Sequence, residues 1–83
     1  MILERINLTR RLIAALGDAL YLAQEVGALN RVLEFRGLRI AASLDLGEMV
    51  RNAYNNGGIT EAQAQSAMRP IYSSANEEQH TCA

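Results

Sequence analysis

An unbroken run of apolar residues, spaced alternately four and three apart, constrains this chain more than any other feature. Leu8, Leu12, Ala15, Ala19, Leu22, Val26, Leu29 and Leu33 all fall on it, with no polar exception. That spacing is the seam of an amphipathic helix that must lie against another helix. The expected fold class is therefore all-α, built on helix–helix contact.

The seam keeps its phase across Gly17, so the segment from Met1 to about Arg36 is expected to form one long helix. The alternative is two helices joined near Gly17-Asp18. A glycine inside a helix costs roughly 1 kcal/mol relative to alanine, which a packed seam can offset. Asn7 or Thr9 would cap the helix if the first residues fray. Gly37 follows Phe35-Arg36, and glycine is favoured just past a helix end, so the turn of a helical hairpin is expected there.

A second helix then carries Leu38, Ala42, Leu46, Met49 and Ala53 at spacings of four and three. Asp45 and Glu48 have the spacing of a capping box and mark a candidate interruption over 43–47. Asn55-Asn56-Gly57-Gly58 is a clear stop, because Asn and Gly tolerate left-handed backbone. Thr60 with Gln63 forms a capping box that starts a short third helix, and Glu61 favours its positive end. Pro70 disfavours helical backbone at Arg69. Residues 1–72 thus form one helical domain, a hairpin with a short third helix. Residues 73–83 form a polar tail with Glu77 and Glu78 in solvent, dispensable for folding. The even spacing of Gly17, Gly27, Gly37, Gly47 and Gly57 is not a repeat, since the residues between them do not align in type.

An 83-residue chain buries only about 60% of its unfolded surface and usually needs a further staple. A single cysteine, Cys82, excludes an internal disulfide and fits a reducing compartment, here the cytoplasm. His80 and Cys82 cannot supply the four ligands of a structural zinc site. No apolar run approaches the ~20 residues of a membrane-crossing helix. Arg10-Arg11 before Leu12 is too weak a match to a signal peptide, because Asp18 and Glu25 break the apolar stretch. The remaining staple is a partner subunit. From Ala19 to Asn30 the only charge is Glu25, and Leu16 and Leu20 widen the seam. A helix this apolar is covered on more than one side. The chain is therefore expected to form a homo-oligomeric helix bundle with the eight seam residues at its interface.

Catalytic chemistry finds no support. His80 and Cys82 fall in the polar tail, the glycine-rich 56–60 segment lacks the lysine and length of a phosphate loop, and the carboxylates lack metal-ligand spacing. No cofactor and no metal are implied. The net charge of −1 makes nucleic acid an improbable partner, although Glu61, Gln63, Gln65, Ser66 and Arg69 would face outward if the third helix belonged to a helix-turn-helix. All eight cationic residues are arginine. Arg31, Arg36 and Arg39 cluster around the expected turn, with Arg10 and Arg11 nearer the start. Together with Tyr21 or Tyr54 they are candidates for an anion site, since guanidinium grips phosphate or carboxylate in a bidentate way. The expected function is a non-catalytic interaction module, an adaptor, chaperone or inhibitor that binds a partner protein, of the size of a small bacterial or phage regulator. The alternatives are an oligomeric binder of a nucleotide or other anion, and a DNA-binding regulator.

Overall fold

The computed structural model describes residues 1–75 and 77 and consists of three helices in sequence: α1 Ile2–Glu25, α2 Leu29–Asn55 and α3 Glu61–Ala67. The two long helices pack along each other as a hairpin, and α3 closes its open end. α1 starts at Met1 without a side-chain cap, so Asn7 and Thr9 lie inside it. The Thr9 hydroxyl donates instead to the Arg5 carbonyl at 2.7 Å. The capping box of α3 forms as expected. The Gln63 N–H donates to Thr60 Oγ1 at 3.1 Å, and the Thr60 N–H donates to Gln63 Oε1 at 2.8 Å.

The hairpin turn lies at Gly27, not at Gly37. α1 runs through Gly17 but stops at Glu25, and α2 runs unbroken through Gly37 and the 43–47 segment. Gly27 holds φ +73°, a left-handed backbone that costs glycine nothing. Its N–H donates to the Gln24 carbonyl at 3.2 Å, and the Ala28 N–H reaches the Ala23 carbonyl at 2.9 Å. Those two bonds are a Schellman cap. The same motif ends α2: Gly57 holds φ +75°, its N–H donates to the Tyr54 carbonyl, and the Gly58 N–H donates to the Ala53 carbonyl at 2.8 Å. Gly37 and Gly47 are helix-interior residues with open space where a Cβ would stand.

The core is small. Ile6 and Ile13 of α1 meet Ala42, Leu46, Val50 and Ala53 of α2, and Ile59 and Ala67 cover that end. Ala42, Leu46 and Ala53 belong to the line expected for the second helix, while Leu38 at its start is exposed. On α1 the inward line is not the seam. At 100° per residue, Leu8, Leu12, Ala15, Ala19, Leu22 and Val26 centre roughly 170° from Ile6, Arg10 and Ile13. α1 therefore has two apolar faces, and α2 occupies the other one. In a molecule 45 Å long the core sits toward the open end, and the turn end is thinly covered.

One charged side chain of α1 lies on the inward line. Arg10 is 1% exposed, and each of its five N–H groups has an acceptor. Nη1 donates to the carbonyls of Ala67 at 2.6 Å and Arg69 at 2.8 Å. Nη2 donates to the Pro70 carbonyl at 3.4 Å and to Glu77 Oε1 at 2.5 Å, and Nε reaches Glu77 Oε2 at 3.4 Å. Glu77 is 4% exposed, contrary to the solvated position expected for it, and Arg69 also contacts its carboxylate. The physical reason is Arg10 itself: a buried guanidinium requires an anion and a full set of acceptors. Ser74, Ala75 and Glu77 have helical backbone, and the Ser74 N–H donates to Asp18 at 3.3 Å. Ser74 and Glu77, in the polar segment after Tyr72, thus pack on α1.

Three stability predictions result. Gly27→Ala should destabilise the fold by about 1 kcal/mol or more, because alanine resists φ +73°, whereas Gly37→Ala should stabilise it by up to about 1 kcal/mol. Urea titration of both variants checks the position of the turn. Arg10→Ala strands a buried carboxylate and should cost about 3–5 kcal/mol. The Arg10→Leu, Glu77→Leu pair should not recover it, since the carbonyls of Ala67 and Arg69 lose their donor. Deletion of residues 73–83 should lower Tm by roughly 10 °C or more, the shift expected from a loss of a few kcal/mol in a domain of this size. A deletion variant that melts like the full chain would show that this segment does not pack.

Candidate interaction surface

The seam of α1 forms an uncovered apolar stripe. Leu8 and Leu12 are each 52% exposed, Leu22 62% and Val26 78%. Ala15 is exposed and Ala19 half-buried between them. Leu29 and Leu33, the last two seam residues, stand exposed on the first turns of α2. Alongside the second half of the stripe runs a groove of about 350 Å³ between α1 and the start of α2. Ala19, Leu22, Ala23 and Val26 form one wall, and Ala28, Arg31 and Phe35 the other. The outer side of α2 adds Leu33, Ile40 and Leu44, with Gly37 in phase between the first two. These two outward apolar lines are the candidate interaction surfaces of the chain.

The anion-site candidates do not converge within one chain. Arg31 pairs with Glu34 on the surface at 3.0 Å, and it alone of the seven candidates lines the groove. Arg36 and Arg39 flank no turn, because Gly37 is inside α2. The Arg39 guanidinium lies over Gly17 of α1, where a Cβ would stand 3.5 Å from its Nε. Tyr54 is fifteen residues beyond Arg39 on the same helix, hence about 22 Å away along the axis. Tyr21 is 61% exposed, near the opposite end of the hairpin from Tyr54. Arg10 is consumed by Glu77, and Arg11 is exposed.

A cleft of about 510 Å³ lies between the start of α1 and the second half of α2. Ile2, Met49 and Ala53 form its apolar lining, and Arg5, Asp45 and Glu48 bring one positive and two negative groups. Asp45 and Glu48 sit mid-helix and cap nothing. Two carboxylates against one guanidinium make this cleft a poor receptor for an anion.

The surface expected of a recognition helix is tied down. α3 has seven residues, Gln63 is spent on the capping box, and Arg69 binds Ser66 and Glu77. His80 and Cys82 lie outside the described residues. Among the described residues no group of three or more potential ligands could hold a metal ion, and no helix is long and apolar enough to cross a membrane. Comparison with protein-family models, with curated proteins and with solved structures finds no match.

The sequence reading missed the pairing of Arg10 with Glu77. Its one local signal was a charged residue on the line Ile6, Arg10, Ile13, four and three apart like the seam itself.

The exposure of the stripe predicts how it responds to charge. Leu22→Asp places a carboxylate in solvent within the single chain, so circular dichroism should show unchanged helix content. Self-association should be lost, since burying that carboxylate in a helix interface costs several kcal/mol. Loss of helix together with association would mean that Leu22 belongs to the core.

Proposed function

We propose that this chain is a non-catalytic helical interaction module that assembles with itself and binds another protein, modulating its activity as an adaptor, chaperone or inhibitor does. The observation that carries this reading is the pair of outward apolar lines, on α1 and on α2, in a chain whose own core is small. Gly37 supports it. A mid-helix glycine costs roughly 1 kcal/mol, and no contact among the described residues accounts for it. In phase with Leu33 and Ile40 it leaves a gap through which a partner helix can approach closely.

Capture from host lysate with tagged wild type and tagged Ile40→Asp tests the partner-binding half. A protein retained by the wild type and lost from the variant, with helix content equal in both, is the expected result. Equal retention by both forms, or none by either, would contradict it.

A further inference from the structure

We infer that the α1 stripe is covered by the α1 stripe of a second copy, antiparallel, with the two-fold axis crossing the stripe midway between Ala15 and Ala19, at the level of position 17. This rests on the reading of the stripe as an interface and adds its occupant and register. The stripe is palindromic in size about position 17. Leu8 and Val26 stand equally far from it, as do Leu12 and Leu22, and Ala15 and Ala19. A two-fold axis there sets large residues against large ones and alanine against alanine. The helices then come closest at the small residues and diverge toward the bulky ones, as crossed helices do.

Three further observations agree. First, the groove beside the stripe adjoins only its second half, around Leu22 and Val26. The antiparallel arrangement delivers Leu8 and Leu12 of the other copy, both half exposed, to that half. A parallel arrangement would bring each groove against the other groove.

Second, the charges beside the stripe match. Arg11 and Glu25 lie on the same flank, fourteen residues or about four turns apart. Across an axis at position 17, Arg11 of one copy falls within about one turn of Glu25 of the other, twice over. Among the described residues neither has an ion-pair partner within its own chain. In a parallel pair in register the two flanks would lie on opposite sides of the interface, and Arg11 would have no Glu25 across from it.

Third, the size suffices. The 24 residues of α1 give a contact line of about 36 Å. Four large aliphatic side chains, each more than half exposed, together with the alanines and flanking stems, amount to on the order of 600 Å² per copy, at the low end of standard interfaces.

A charge swap tests the register. Arg11 and Glu25 are exposed, so Arg11→Glu and Glu25→Arg should fold normally, as circular dichroism will verify. Each variant alone should self-associate about tenfold more weakly than the wild type. An equimolar mixture should regain near wild-type affinity and give mostly heterodimer by native mass spectrometry, because every cross-pair is again complementary. In a Cys82→Ser background, Ala15→Cys mixed with Ala19→Cys should form a mixed disulfide faster than either variant links to itself. A statistical mixture with no gain in affinity overturns the register. If Leu12→Asp still abolishes association in that case, the stripe remains an interface with another geometry. A wild type that stays monomeric at high concentration overturns both the pairing and the self-association.

Discussion

The buried guanidinium of Arg10 decides how α1 is covered. It occupies the middle of the inward line between Ile6 and Ile13, and a charge there is tolerable only with a complete set of acceptors. The chain supplies them from the end of α3, the turn at Arg69 and Pro70, and the carboxylate of Glu77. One interaction thus fixes α3, the turn and the last described residue against α1. It also determines where that segment does not go. α2 takes one side of α1 and the Arg10-bound segment lies beside it, which leaves the side bearing Leu8 to Val26 bare.

The bare face is thus a consequence of the packing and not a loosely placed helix. The described part of the polar segment, residues 73–75 and 77, is held on another flank, with the Ser74 N–H on Asp18 as a second tether. The outer side of α2 is left uncovered in the same way, and its interior glycines invite a close neighbour. A small core, a saturated latch and two open apolar lines are the observations on which the proposed self-association rests.

Much of this was legible in the residues. The four–three seam declared helices. Thr60 and Gln63 declared the start of α3, and Asn55 to Gly58 the end of α2, because caps and left-handed turns depend on local chemistry. The hairpin turn was misplaced because periodicity cannot detect a reversal of the chain. The three-residue link from Val26 to Ala28 returns Leu29 and Leu33 in phase with the seam, so the pattern passes through the turn unbroken. Gly27 and Gly37 are alike by type, and only the backbone conformation separates a Schellman cap from a helix-interior glycine. The seam lies exposed on α1, but the inward line of α1 was hidden because Arg10 interrupts it. The partner of Arg10 lies 67 residues away in a polar segment, and no local pattern connects the two. Arg31, Arg36 and Arg39 were grouped by proximity to a turn that lies elsewhere.

Sedimentation equilibrium of the wild-type chain from low to high micromolar concentration addresses most directly the claim that α1 is completed by another copy. The account predicts a mass that rises to twice the 9.1 kDa of the chain. A mass that stays at 9.1 kDa throughout would contradict it.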